Sequence, residues 1–141
     1  MKHFSEDGLS FSYPDDWRIE REPIDNGWSV VVQSPGTGFA QIWLDRDMPT
    51  TEAMATTALE ALQEDYPNLE AESAIEMLAG EMAIGHDFQF ISLDLIITCW
   101  TRSFYSVAGT VLVLCQFDDL DHETCEPALR GICASLQSDT E

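Results

Sequence analysis

Apolar and polar residues alternate from the first segment of the chain. Leu9, Phe11 and Tyr13 alternate with Ser10 and Ser12, the period-two pattern of a half-buried strand. Pro14 has no amide hydrogen to give to a ladder and holds Tyr13 extended, so "YPDDW" predicts a reversal. Beyond it, Trp17, Ile19 and Arg21 fall on one face of a second strand, with Arg18 and Glu20 on the other. "DNG" at 25–27 carries the Asn-Gly hairpin signal that leads into "WSVVVQS", and "PGTG" at 35–38 leads into "FAQIWLD". Residues 9 to about 46 therefore predict an antiparallel meander whose edge is the opening segment, stapled by Phe11, Tyr13 and Trp17.

The period changes in "PTTEAMATTALEALQEDYP". Met54, Ala58, Ala61, Leu62 and Tyr66 recur at helical spacing, Thr50 or Thr51 caps the start with Glu52 in the first turn, and Pro67 stops the element. Then "LEAESAIEML", "EMAIGHDFQFI", "LDLIITCWTRSFY" and "TVLVLCQF" predict a second meander, with turns at Ala79-Gly80 and "SVAG". The last segment returns to helix, because Cys125, Leu129, Ile132, Cys133 and Leu136 share one face and Pro127 suits a first turn. The order is four strands, helix, four strands, helix. Strands joined by tight turns run antiparallel, so the fold class is α+β: an antiparallel meander sheet of about seven to eight strands flanked by two main helices. No linker composition or internal repeat divides the chain, so residues 1–141 are expected to form one domain.

Charge narrows the partners. The chain has 26 acidic and 6 basic side chains, a net charge of −20. Binding a phosphate backbone needs clustered cations, and Lys2, Arg18, Arg21, Arg46, Arg102 and Arg130 are scattered, so no nucleic acid is expected as a partner. A basic protein segment fits the charge better. The longest apolar runs, Leu95 to Ile97 and Val111 to Cys115, fall far short of the roughly 20 residues of a membrane span. "MKHFSEDG" lacks the apolar region of a secretory signal, which predicts a cytoplasmic location. Cys99, Cys115, Cys125 and Cys133 form no CxxC pair, sit inside apolar patterns, and are expected to be buried free thiols.

Candidate chemistry is sparse. His3, His86 and His122 belong to none of the hydrolase or metalloprotease motifs, "DDLDHE" lacks the glycine and glutamate of a calcium loop, and "SPGTGF" lacks the context of a phosphate loop. Helical spacing would let His122, Cys125 and Glu126 share a metal, yet acids there equally suit the positive end of a helix dipole. No catalytic residue, metal or cofactor is assigned. "TVLVLCQF" is apolar on both faces and needs cover on both sides or a partner. In the neighbouring patterns Phe39, Gln41, Trp43 and Asp45 form one face, as do Ile96, Thr98, Trp100 and Arg102, mixing large aromatics with polar groups as recognition surfaces do. The candidate partner-binding residues are therefore Trp43, Trp100, Tyr105 and Arg102, expected on one aromatic sheet face that holds an apolar or amphipathic protein segment. An alternative is a small-molecule or metal-binding pocket near His86, Asp87 and Gln89.

"GLSFSYPDDW", "QIWLDRD", "IGHDFQF" and "HETCEPALRGICASL" together resemble the PsbP-like superfamily, in particular its bacterial DcrB-like branch. The resemblance implies a PsbP-like α/β/α sandwich, with a central antiparallel sheet flanked by helices. It also implies a non-enzymatic role, since members are largely non-catalytic and include small acidic chaperones of secreted bacterial effectors. Those chaperones are dimers that hold hydrophobic segments against the sheet, so a homodimer belongs to the same expectation. "TCEPALRG" departs from their pattern by placing a cysteine before the Glu-Pro pair.

Overall fold

The computed structural model describes residues 1–139, in which the chain forms two antiparallel sheets and two helices. The N-terminal segment builds the smaller sheet. Strand β1 (Lys2–Glu6) turns through Asp7 and Gly8, at φ 52° and 80°, into β2 (Leu9–Tyr13), with Glu6 opposite Leu9. Both turn residues are left-handed, which is the geometry of a two-residue hairpin that follows the strand twist. The short β10 (Gln137–Ser138) pairs with the other side of β2. The opening segment was expected to form the edge of the main meander, and this is corrected. At Pro14 the chain makes a turn, closed by the Trp17 N–H donating to the Pro14 carbonyl at 3.1 Å, and leaves one sheet for another.

The larger sheet comprises β3 (Arg18–Ile24), β4 (Gly27–Gln33), β5 (Phe39–Asp45), β6 (Glu70–Leu78), β7 (Glu81–Ser92), β8 (Leu95–Tyr105) and β9 (Thr110–Asp118). Its spatial order is β3-β4-β5-β9-β8-β7-β6, with every neighbouring pair antiparallel. Two sequential meanders thus meet where β5 pairs with β9, placing Ile42 opposite Val113. Helix α1 (Thr51–Asp65) connects β5 to β6, and α2 (His122–Ser135) follows β9. The Thr50 side chain caps α1 by accepting from the Ala53 N–H at 3.0 Å. This is the α+β class expected from the patterns, with seven strands in the main sheet.

The two sheet faces are covered unequally. Trp28, Val30, Ile42, Leu44, Val113 and Cys115 point to one side, where Cys125, Leu129, Ile132 and Cys133 of α2 and Leu9, Phe11 and Tyr13 of β2 complete the main core. Complete burial of this many large apolar side chains is the principal drive for the fold. On the opposite side Leu69, Phe88 and Cys99 form a smaller cluster with Leu59, Leu62 and Tyr66 from α1 and its C-terminal end. Tyr66 stacks on Phe90 with ring centroids 4.0 Å apart. Ala55 is the one fully buried residue of α1. All four cysteines are free and buried, with the Cys115 and Cys133 sulfurs 3.7 Å apart. Burial raises the Cys99 thiol and pushes Cys125 up to about 11, so both stay protonated at neutral pH. Among the described residues, no helix is long and apolar enough to cross a membrane.

Candidate functional site

Strand parity decides which candidate residues can act together. Trp43 lies opposite Leu112, and Leu112 opposite Ser103, so Trp43 shares a face with the odd-numbered residues of β8, including Tyr105. Trp100 lies opposite Cys115, and Cys115 opposite Ala40, so Trp100 and Arg102 occupy the other face. The expected single aromatic face of Trp43, Trp100, Tyr105 and Arg102 is therefore corrected: the sheet divides the four into two pairs. Residues 100 and 105 of one strand are five apart, and a period of two puts an odd separation on opposite faces.

The Trp100 pair belongs to the interior. Trp100 is 2% exposed, meets Phe117 edge to face, and is capped by the Arg130 guanidinium, whose carbon lies 3.9 Å from the ring centroid. Arg102 is equally buried. Its Nε donates to Glu76 and its Nη2 to Asp87, each at 2.8 Å, while Nη1 donates to the carbonyls of Thr101 and His86. Four of the five guanidinium N–H donors are thus spent within the chain, tying β6, β7 and β8 together, and the side chain is buried away from a partner. Tyr105 is 47% exposed, but its hydroxyl is engaged at the start of α1, accepting from the Thr51 N–H at 3.3 Å.

The alternative pocket also divides. His86 faces the α1 side, whereas Asp87 and Gln89 face the α2 side, because adjacent strand residues point in opposite directions. Asp87 and Gln89 line a polar trough of about 850 Å³ together with Glu70, Glu72, Thr98, Trp100 and Arg130, while His86 lies outside it. Gln89 bonds across to Thr98 at 3.1 Å, and His86 Nδ1 is buried with no partner among the described residues. Among the described residues, no group of three His, Cys, Asp or Glu side chains stands close enough to hold a metal.

What the α1 side offers is an apolar groove of about 480 Å³ between α1 and the sheet. Its floor is Trp43, Leu112 and Leu114; Met54, Ala58, Ala61 and Leu62 form the helical wall, and Ile24 and Pro49 both border it at the level of Asp45 and Thr110. Two features keep it open. The helix docks over β7, β8 and β9 near Phe88 and Phe90, leaving the β5 side of the face uncovered. The side chains it turns toward β5 include the short Ala53, Thr57, Ala58 and Ala61, which cannot reach the floor. The N-terminal end of the helix is pinned by Tyr105 and by Thr110, whose hydroxyl donates to the Pro49 carbonyl at 2.6 Å. Among the described residues Asp45 is the one ionisable residue in the lining, and its Oδ1 already accepts from the Asp47 N–H at 2.9 Å. Such a lining is complementary to apolar surface, and among the described residues it presents no acid–base pair.

No family model matches the sequence, and no curated protein matches it. Solved structures do match. The solution structure of the cyanobacterial PsbP protein CyanoP from Synechocystis superposes with a TM-score of 0.65 at 11% identity, over 98% of this chain and 92% of that one. The chain has the PsbP-like fold. A Bacteroides thetaiotaomicron protein gives a TM-score of 0.65 at 14% identity over 99% of this chain, which spans 49% of the longer Bacteroides chain. LpqN of Mycobacterium tuberculosis, a protein involved in cell envelope biogenesis, gives 0.58 at 14% identity over 99% of this chain and 91% of that one. At these identities the likeness is one of fold.

Within this PsbP-like sheet, the sequence patterns identified Trp43 but missed the walls of its groove. Met54, Ala58 and Ala61 had the helical spacing of core positions, and Leu112 and Leu114 read as part of a strand buried on both faces. The signal available was the run of Ala and Thr in "AMATTALEA", too small to fill the space over a tryptophan.

Proposed function

We propose that the chain is a non-enzymatic protein-binding module, an adaptor or chaperone of the DcrB-like kind acting in the cytoplasm. It holds an apolar or amphipathic partner segment in the groove between α1 and the sheet. The observation that carries this reading is Trp43: a large, rigid aromatic, half-buried at the floor of an otherwise aliphatic groove that the chain's own helix leaves uncovered. Aromatic anchors in apolar pockets dominate protein-binding energies, because they bury much surface at small conformational cost. The net charge of −20 favours partners with basic flanks and opposes non-specific clustering of the exposed groove.

The test is fluorescence anisotropy with a labelled amphipathic helical peptide carrying leucines on one face and lysines on the other. Trp43→Ala removes the floor and Ala61→Trp fills the space from the exposed side of the wall. Each is expected to weaken binding about tenfold or more, with circular dichroism unchanged. Equal binding by wild type and both variants would refute the reading.

A further inference from the structure

The larger sheet ends in two edges, and they are built differently. At β3 the edge contains Pro23, which has no N–H to offer, and Arg21 is tied to Glu6 of the small sheet by bonds of 2.8 and 2.6 Å. Such features blunt an edge against pairing. At the other end β6 runs for nine residues without proline, and among the described residues no strand pairs with its outer side.

The β6–β7 turn determines which backbone groups are unpaired there. Ala79 and Gly80 have φ 53° and 77°, a two-residue turn that closes on the hydrogen-bonded pair Leu78 and Glu81. Alternation along an antiparallel ladder then directs Glu76, Ala74, Glu72 and Glu70 toward β7, and leaves the N–H and C=O groups of Met77, Ile75, Ser73 and Ala71 pointing outward.

The side chains flanking that edge are sorted by face. On the α1 side Ile75, Met77 and Met82 are 69%, 65% and 62% exposed, beyond the reach of α1. On the α2 side stand Glu70, Glu72 and Glu76, with Asp87 opposite Glu72. Arg102 engages Glu76 and Asp87, while Glu70 and Glu72 have no ion-pair partner among the described residues.

We propose that the β6 edge is a second docking surface, which takes an extended protein segment with alternating basic and apolar residues as an eighth strand. Main-chain bonds to Ala71, Ser73, Ile75 and Met77 would hold it. Its apolar side chains cover Ile75 and Met77 while its basic side chains face Glu70 and Glu72, since residues opposite one another in a ladder share a face. A second copy of this chain is disfavoured at this edge. Pairing β6 with itself sets rows of glutamates against each other, with a net charge of −20 on each copy.

The experiment uses the isotope-labelled full chain and a capped peptide of alternating lysine and valine. A peptide of the same composition in two blocks, and one with glutamate in place of lysine, serve as controls. The alternating peptide is expected to bind and to protect the Ala71, Ser73, Ile75 and Met77 amides from exchange. Ser73→Pro, which removes an outward N–H without touching the β7 ladder, and Glu70→Lys with Glu72→Lys are each expected to cut affinity about tenfold or more. Trp43→Ala leaves this binding unchanged, which separates the edge from the groove. Should Ser73→Pro not fold, the charge-reversed variant and the amide protection still decide. The proposal is overturned if the block peptide gives the same affinity and protection, if the four amides stay unprotected, or if folded variants bind as wild type. It is also overturned if those amides are protected without peptide in a concentration-dependent dimer.

Discussion

Single side chains join parts of the chain that are distant in sequence. Asp7, in the β1–β2 turn, accepts from the Trp28 indole N–H at 2.9 Å and from Arg46 Nη2 at 2.6 Å, linking the small sheet to β4 and to the residue after β5. The Trp28 bond, and then the Arg46 bond, hold its carboxyl below the ordinary value near 3.8. A carboxylate depressed in the folded state contributes stability that is present above the unfolded value and lost as pH falls through the folded one. Thermal unfolding of the wild type is therefore expected to show a loss below pH 4 that Asp7→Asn lacks, because asparagine keeps an acceptor for Trp28 and tolerates the left-handed turn but carries no charge. Parallel pH profiles for the two proteins would show that Asp7 does not carry this linkage. Asp7 was legible as a turn residue only in hindsight. "EDG" is a hairpin signal, but the strand before it, "KHFSE", has one apolar residue among polar ones and no period to detect.

At the scale of elements, helix α1 was the easiest to read and the least firmly held. Its period, its threonine cap and its stop at Tyr66-Pro67 follow from local chemistry, and all are present. Its burial is another matter. Periodicity identifies a face but not how deeply that face is covered, and here Ala55 alone is fully buried while Met54, Ala58 and Ala61 border the open groove. Two measurable consequences follow. Removing the cap with Thr50→Ala is expected to cost about 1 kcal/mol in denaturant unfolding. In hydrogen exchange the α1 amides are expected to open well before those of β8 and β9, whose residues are buried across most of their length. Exchange of α1 as slow as that of β9 would mean that the helix is locked to the sheet and the groove is not a gap in loose cover. The strands of the second meander were equally legible, whereas the two-residue β10 exists only because β2 offers it an edge.

For the whole molecule, the net charge of −20 opposes compactness. The acids are dispersed and only six cations offset them, so screening should stabilise the fold. The melting temperature is expected to rise by on the order of 5 °C between about 10 mM and 0.5 M sodium chloride; a flat or falling curve would show that specific ion pairs such as those of Arg102 outweigh the general repulsion. Patterning alone determined the α+β class, the antiparallel hairpins of the main sheet, the two helices and the free buried cysteines, because each depends on periods and turn residues within a few positions of one another. Tertiary structure alone decided the joining of the meanders at β5 and β9, the transfer of the N-terminal strand to a separate sheet, and the separation of Trp43 from Trp100. The first and the last depend on register between β5 and β9, whose partners lie 65 to 77 residues apart, as Asp45–Thr110 and Phe39–Gln116 do, and the second on β2 meeting β10, with Ser10 opposite Gln137; a shift of a single residue between β5 and β9 would have put the two tryptophans on the same face.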